Sequence, residues 1–466
     1  MLLNRHDRHG SGLLRSSQSG ASGSDMDAVS VMPTAAVALA HTTTSTMAVN
    51  SDISDTTITP AAREDATPEE IVSQETPKAT GWVTKARRVF LVIGVLYIGA
   101  VLLLCIPYFQ AHVVYLHAVK IPLFAKYDLP EKYGLAPNKT LNFRIPTSDG
   151  ESIGAWFILS DHYYHKLPAI PSMESLPAKH IPVAVQKHPT ILFFHGNAAT
   201  RAFTARVQHY KSFTSRFGAN VLAIDYRGFA DSTGTPTEAG VIRDARAAWD
   251  WLARKGVDGD DVLIVGHSLG TGISAGLAKE LQRDGIAYKG LTLLSPFSSI
   301  QDVLQTYHIL GFFPLMKPLA MIPWATNIIS WALVHKFDTL KAVPTIDGPV
   351  LLAHAEDDWD IPHTHSDVLF NAFLDDVLPE VKLPESVFRA TTEERDALSS
   401  SLERRRIIRE KLVDHIDMGG FGYIDSFYDE AKRRNVTLVK TKYGGHDYEG
   451  VQEGVQDAMG RLFDLF

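Results

Sequence analysis

A serine stands between two glycines in the segment DVLIVGHSLGTG, residues 261–272. A Gly-x-Ser-x-Gly pattern carries chemistry when it lies at a sharp turn from a strand into a helix, because that turn exposes the serine hydroxyl above the sheet. The preceding run Val262–Val265 predicts a buried parallel strand, and the residues after the motif predict a helix that ends at Gly285. Chance can produce the pattern, and an ordinary glycine-rich turn is the alternative, but this context predicts that Ser268 is a nucleophile.

A nucleophilic serine requires a base that accepts its proton and an acid that orients the base. Where the serine lies at such a turn, the chain order is serine, acid, histidine. The segment LLAHAEDDWDIP follows a predicted strand and offers four acids, Glu356, Asp357, Asp358 and Asp360. We predict that Asp358 is the acid because it stands four residues before Pro362, while Asp357 could instead cap the turn.

The base is predicted to be His446, which lies in the glycine-rich stretch KYGGHDYEG after a strand-like run, Val436–Lys440. Two other histidines are alternatives for this role. His354 stands beside the acids and is the main alternative, although a packing role suits it better. His267 lies inside the serine motif, where packing is again expected.

Acyl transfer at a serine also requires hydrogen-bond donors for the oxyanion of the transition state. The first donor is expected to be the backbone N–H of Leu269, directly after the nucleophile. The second is expected in the loop HGNAATR, which follows the apolar strand Ile191–Phe194, and we assign it to Asn197. His195 and Gly196 are predicted to shape this loop, for which an ordinary tight turn is the alternative.

These residues need a framework that brings them together, and strand-like and helix-like segments alternate from about residue 140 onward. TLNFRIP and SIGAWFIL predict an opening antiparallel pair. The alternation predicts an α/β fold with a mostly parallel central sheet that helices flank on both faces. Ligands of such sheets bind beyond the carboxyl ends of the strands, and every residue assigned above lies at such an end.

Two segments interrupt the alternation. Residues 303–337 are apolar and rich in aromatics, but Pro314, Pro318 and Pro323 interrupt them too often for a membrane-spanning helix. We therefore predict an apolar lid of short helices over the site. Residues 371–434 contain ATTEERDALSSSLERRRIIREKL, which predicts a solvated helix within a charged surface insertion.

The N-terminal part of the chain has a different composition. Residues 1–80 are rich in serine, threonine and alanine and poor in aromatics, which predicts a disordered tail. Val89–Phe109 is a run of 21 uncharged residues, long enough for a helix to cross a bilayer. A transmembrane segment is therefore predicted over 85–110, followed by a membrane-proximal linker over 111–139.

The orientation of this segment follows from its basic flanks. Four lysines and arginines precede the apolar run and two follow it closely, which favours a cytosolic N-terminus and a lumenal or extracellular C-terminal part. Glycosylation sequons at 138–140 and 435–437 agree with that side. The single cysteine, Cys105, lies within the apolar run, so no intrachain disulfide is possible.

Charge narrows the range of partners. The formal net charge is −8 and the sequence has no dense basic block, so nucleic acid is not expected as a partner. No cofactor-binding or metal-binding residues are predicted, and the sequence carries no prediction of oligomeric state.

Five motifs carry a resemblance to a known family over residues 140–466. FFHGNAATR, DYRGFADSTG, GHSLGTG, LLSPFSSI and HAEDD occur in the order that is typical of the α/β-hydrolase domain-containing proteins, and the chain resembles the membrane-bound lipases of that family. The resemblance implies the α/β-hydrolase fold and assigns nucleophile, acid and base to Ser268, Asp358 and His446. The chain departs from the family where Trp359 follows the second aspartate in place of proline, and the stretch from acid to histidine is longer.

The function expected from these features is that of a membrane-anchored serine hydrolase. It would cleave carboxylic esters of acyl lipids, a lysophospholipid or a monoacylglycerol, through an acyl-enzyme, with the acyl lipid and the bilayer as its partners. A single-pass protein of the endoplasmic reticulum with a lumenal hydrolase domain is expected. The alternatives are an acyl-protein or acyl-CoA thioesterase, which would use the same residues, and a catalytically inactive binding protein of this fold.

Overall fold

The structure is a computed structural model that describes residues 80–167, 178–306, 308–309, 313–314, 330–381, 383 and 391–466. Within this part of the chain one ten-stranded sheet forms the centre of the fold. Its strands are β1 (Thr140–Pro146), β2 (Ser152–Ile158), β3 (Thr190–Phe194), β4 (Asn220–Ile224), β5 (Val262–His267), β6 (Gly290–Leu294), β9 (Val350–Ala355), β10 (Asp414–Asp417), β11 (Gly422–Asp429) and β12 (Arg434–Thr441), while β7 (His308–Ile309) and β8 (Phe313–Pro314) form a separate ribbon.

The strand order across the sheet is β1-β2-β4-β3-β5-β6-β9-β12-β11-β10. The central strands from β4 to β12 run parallel, and β1, β2, β10 and β11 add antiparallel edges. The predicted opening pair and the mostly parallel sheet are therefore confirmed. Every residue of β3, β4, β5, β6 and β9 is buried, which explains why these strands are continuous apolar runs without alternation.

Helices cover both faces of the sheet. Ile264 of β5 packs into one apolar cluster, whereas its neighbours Leu263 and Val265 pack into another, because successive side chains of a strand point to opposite faces. The α-helices are α1 (Thr80–Leu104), α2 (Pro107–Tyr115), α3 (Asp161–Tyr164), α4 (Ile181–Lys187), α5 (Thr204–Arg216), α6 (Glu238–Arg254), α7 (Leu269–Arg283), α8 (Ile300–Thr306), α9 (Thr339–Ala342), α10 (Thr364–Asp375), α11 (Thr392–Leu412) and α12 (Glu453–Leu462).

Helix α1 is the one helix among the described residues that is long and apolar enough to cross a membrane. Gly81–Leu104 has a mean hydropathy of 2.1 in its most apolar window, and none of that window is buried. Helix α2 begins at once with Pro107, a favoured first residue of a helix. Its Ala111 and Tyr115 are buried in the core of the sheet domain, so the segment predicted as a linker begins with residues that belong to the packed domain.

The structure describes only part of the predicted lid but most of the predicted charged insertion. Most of the predicted lid, 303–337, lies outside the described residues. In the predicted insertion, 371–434, α11 is a solvated helix without a buried residue, and Thr391 and Glu394 form a capping box at its start. The same segment also contributes β10 and β11, and β11 pairs with β12 over eight residues, so part of it extends the central sheet.

Candidate active site

Ser268 occupies a strained turn between β5 and α7. Its backbone φ is 52° and its ψ is −122°, a conformation that L-residues adopt only where the surrounding structure enforces it. A Cβ at Gly266 would lie 2.4 Å from the carbonyl oxygen of Gly270, and a Cβ at Gly270 would lie 2.1 Å from the carbonyl oxygen of Phe194. Both glycines of the motif are therefore sterically required.

The structure brings Ser268, Asp358 and His446 into one hydrogen-bonded chain. His446 Nε2 lies 2.8 Å from Ser268 Oγ, and His446 Nδ1 lies 2.7 Å from Asp358 Oδ2. A carboxylate only accepts hydrogen bonds, so Nδ1 carries a proton and the Nε2 lone pair faces the serine hydroxyl. This arrangement can withdraw the proton from Ser268.

The carboxylate of Asp358 is held by four partners. Oδ1 accepts hydrogen bonds from the backbone N–H groups of Asp360 and Ile361, at 2.8 and 2.9 Å. Oδ2 faces His446 and also His354 Nε2, at 3.2 Å. Burial raises the pKa of Asp358, but the hydrogen bonds from His354 and His446 lower it by more, so the pKa lies below its ordinary value. The carboxyl is therefore ionised and fixed in orientation.

His354, weighed as the alternative base, lies on the other side of the acid. Its Nε2 lies within hydrogen-bond distance of Asp358 Oδ2 and of the Ile361 carbonyl oxygen, and both of these groups accept only, so Nε2 carries the proton. Burial lowers the pKa of His354 more than Asp358 raises it, so the ring is neutral. His354 thus orients the acid and does not face Ser268.

The other acids of this loop occupy different positions. Asp357 Oδ1 accepts the backbone N–H of Gly445 at 2.8 Å, which ties the acid loop to the histidine loop. Asp360 is exposed and contributes its backbone N–H to Asp358, and Glu356 is also exposed. Only Asp358 among the four acids contacts His446 through its side chain.

The backbone of the histidine loop is fixed independently of the His446 ring. His267 Nε2 donates to the His446 carbonyl oxygen at 2.7 Å, and Ser295 Oγ donates to the same oxygen at 3.3 Å. Burial lowers the pKa of the His446 ring, but the hydrogen bond and charge of Asp358 raise it by more, so the pKa lies above its ordinary value. His267, expected only to pack, therefore holds the loop that carries the base.

The 195–200 loop lies directly against the serine. A Cβ at Gly196 would lie 3.0 Å from Ser268 Cβ, so the loop backbone contacts Ser268. Arg206 Nη2 donates to the carbonyl oxygens of Gly196, Asn197 and Ala198 at 2.8 to 3.1 Å. In a trans peptide the N–H points opposite to the C=O, so the Asn197 N–H points away from Arg206.

The two assigned oxyanion donors are free to bind a ligand. Leu269 is the first residue of α7, where backbone N–H groups have no partner within the helix. Among the residues that the structure describes, neither the Leu269 N–H nor the Asn197 N–H has a hydrogen-bond acceptor. No local sequence pattern marks Arg206, which shapes this loop from a helix ten residues downstream.

The family model of the alpha/beta hydrolase family matches residues 191–454, and this span contains all the site residues described above. The chain belongs to the alpha/beta hydrolase family, and it is an ester hydrolase of the lipase type within that family, as the motifs predicted.

The relatives agree with that class. Over 293 residues the chain is 34% identical to the lysophosphatidylserine lipase ABHD12 of Xenopus tropicalis, an alignment that covers 61% of this chain and 71% of that protein. The same lipase of Rattus norvegicus is 32% identical over 62% of this chain and 69% of its own length. Protein ABHD12B of Homo sapiens is 30% identical over 55% of this chain and 67% of its own length.

Proposed function

We propose that the chain is a membrane-anchored serine hydrolase that cleaves acyl-lipid esters through an acyl-enzyme. The proposal is carried by two consecutive hydrogen bonds, which link Asp358 to His446 at 2.7 Å and His446 to Ser268 at 2.8 Å. Ser268 Oγ attacks the acyl carbonyl while His446 takes its proton, and the N–H groups of Leu269 and Asn197 bind the oxyanion. His446 then protonates the leaving alcohol. In the second half of the reaction His446 takes a proton from water, the water oxygen attacks the acyl carbonyl, and His446 returns the proton to Ser268 Oγ as the fatty acid leaves.

The substrate class is proposed from the relatives and from the membrane helix. ABHD12 of Xenopus tropicalis is named a lysophosphatidylserine lipase, which supports a single-chain lysophospholipid as substrate, with a monoacylglycerol as the related alternative. Helix α1 supports anchoring in the bilayer that holds such lipids. Basic Lys85, Arg87 and Arg88 on the N-terminal side favour a lumenal hydrolase domain, and the endoplasmic reticulum is the proposed compartment.

Purified full-length protein is expected to release fatty acid from lysophosphatidylserine in detergent micelles, and Ser268→Ala is expected to abolish that release. A fluorophosphonate probe reacts with activated serines, so it is expected to label the wild type and not the variant. The measurements are fatty-acid release by mass spectrometry and probe fluorescence on a gel.

Ser274→Ala is the matched control, because Ser274 is a buried serine of α7 that lies about one helical turn beyond the motif. It is expected to keep the labelling. Folded wild type that neither reacts with the probe nor releases fatty acid would refute the proposed enzyme. Faster cleavage of palmitoyl-CoA than of any lysophospholipid would move the assignment to a thioesterase.

The value of kcat/KM is expected to fall on the acid side of its pH profile as the His446 ring becomes protonated. His446 acts as a base only when its ring is neutral, and its surroundings raise its pKa above the ordinary histidine value, so activity is lost at a higher pH than an ordinary histidine would give. Asp447 also raises this pKa, and Asp447→Asn is therefore expected to move the midpoint to lower pH. A soluble p-nitrophenyl ester permits the measurement, and a kcat/KM that does not fall on the acid side would contradict the assignment of the base.

A further inference from the structure

The segment that follows the membrane helix makes backbone contact with the active site. We call residues 115–121 the strap. Its carbonyl oxygens accept three N–H groups of the 195–200 loop: Ala198 N donates to Tyr115 O at 2.8 Å, Ala199 N to Val119 O at 2.7 Å, and Thr200 N to Ile121 O at 3.0 Å. The strap thus covers one side of the loop that touches Ser268.

The loop conformation depends on such support. Ala198 and Ala199 have φ values of 52° and 50°, in the left-handed region. A non-glycine residue is disfavoured there, and two in succession persist only when surrounding contacts hold them. The hydrogen bonds of the strap begin at these two alanines, so without it their N–H groups would lose their partners.

Arg206 holds the same loop from the carbonyl side. It binds the carbonyl oxygens of residues 196–198, while the strap binds the N–H groups of residues 198–200. Between them they leave one N–H of the 197–200 stretch unbound by protein in the described structure, that of Asn197. This is the group proposed to bind the oxyanion. The hydrogen bonds from Arg206 and from the strap therefore determine which amide N–H of the loop can bind the oxyanion.

The strap is itself fixed to the domain. Tyr115 is fully buried, and its hydroxyl lies 3.3 Å from His335 Nδ1. Just before the strap, Gln110 donates to Ala332 O at 2.7 Å and accepts the Val334 N–H at 2.9 Å. Helix α2, nine residues and about 14 Å long, therefore connects the end of α1 to the strap and is itself held against the domain by these contacts.

We infer that the strap is a positioning element of the active site, which holds the Asn197 N–H toward the oxyanion. The inference rests on the proposed serine hydrolase function and adds that catalysis requires the membrane-proximal segment. Helix α1 is then linked through α2 and the strap to the loop that carries the oxyanion donor. A hydrolase domain that began at residue 140 would lack the strap and so a part of its own site.

A glycine inserted between His117 and Ala118 of the full chain tests this inference. The insertion displaces the Val119 and Ile121 carbonyls by one residue, up to 3.8 Å. Loss of one oxyanion donor lowers kcat by about 10²–10³-fold. Partial misplacement is expected to lower kcat for p-nitrophenyl butyrate by about 10- to 100-fold with KM nearly unchanged. The fluorophosphonate endpoint and the acid midpoint of the pH profile are expected to stay at wild-type values, because the triad is intact.

The matched control is a glycine inserted between Gly419 and Gly420, in the open turn of the β10–β11 hairpin, where wild-type kcat is expected. A folded strap variant with a full probe endpoint and kcat within about twofold of wild type would overturn the inference. Failure of the wild type itself to react with the probe would instead refute the proposed hydrolase function.

A second insertion keeps the inference testable if the first variant does not fold. A glycine inserted between Lys120 and Ile121 of the full chain leaves the Tyr115 and Val119 acceptors in place and displaces only the Ile121 carbonyl. It is expected to lower kcat by less than the first insertion, about 3- to 10-fold, with KM nearly unchanged. Unchanged kcat in this folded variant would also overturn the inference.

Discussion

The His446→Ala variant is expected to lose at least about three orders of magnitude of kcat while it keeps its fold. The His446 ring is the only base within hydrogen-bond distance of Ser268 Oγ among the described residues. The backbone of its loop is held by other groups, since His267 and Ser295 donate to the His446 carbonyl and Asp357 accepts the Gly445 N–H. Removal of the ring therefore takes away the proton acceptor and leaves the loop in place.

The measurement is kcat for lysophosphatidylserine hydrolysis beside thermal unfolding of the same preparation. His415→Ala is the control, because His415 is an exposed histidine of β10 whose ring contacts Asp425 and Tyr423 outside the site. The control is expected to retain wild-type kcat. If His446→Ala retained more than a tenth of wild-type kcat, another group would have to serve as the base.

Site residues at the carboxyl ends of parallel strands could be predicted from the sequence. Ser268, Asp358 and His446 each follow an apolar run, and the carboxyl ends of β5, β9 and β12 meet at one edge of the sheet. The chain order of the three residue types then limits the assignment further. The strand pattern and the residue order together were sufficient to predict that the three residues lie close together, because the carboxyl ends of parallel strands lie at the same edge of a sheet even when they are far apart in the sequence.

Other parts of the site depend on contacts that no local pattern records. The role of Arg206 follows from the conformation of a loop that begins eleven residues earlier, and the strap reaches that loop across about eighty residues through backbone atoms alone. Backbone hydrogen bonds leave no residue signature, so the sequence of the strap resembles a linker. The strand β11, which lies between β12 and the edge strand β10, was similarly hidden, because most of its residues are only partly buried and do not form an apolar run.

The roles of His354 and His267 show a related limit. Both were expected to pack, and both are buried, but His354 also donates a hydrogen bond to the Asp358 carboxylate and His267 donates one to the His446 carbonyl oxygen. Burial is visible in the apolar surroundings of a sequence, whereas the acceptor of a ring N–H depends on the tertiary structure. A buried histidine beside a predicted acid is therefore a reason to examine the orientation of that acid.

The Asp358→Asn variant is expected to lower kcat by about 10⁴-fold, the loss known for this change in a serine protease triad. An asparagine amide that donates to His446 Nδ1 would force the tautomer with a proton on Nε2, which cannot accept the serine proton. The backbone N–H groups of Asp360 and Ile361 favour this orientation, because they donate to the Oδ1 position and hold the amide oxygen there, which turns the NH2 group toward His446.

Asp360→Asn provides the matched comparison two residues away. Asp360 supports the acid with its backbone N–H, which the substitution keeps, so kcat is expected to stay within about threefold of wild type. Its charge also raises the pKa of His446, so the acid midpoint of kcat/KM is expected to move to lower pH. Both variants can be measured with one p-nitrophenyl ester between pH 5 and 9. A larger loss of kcat in Asp360→Asn than in Asp358→Asn would transfer the role of the acid to Asp360, because only the side chain that orients the base can have the greater effect.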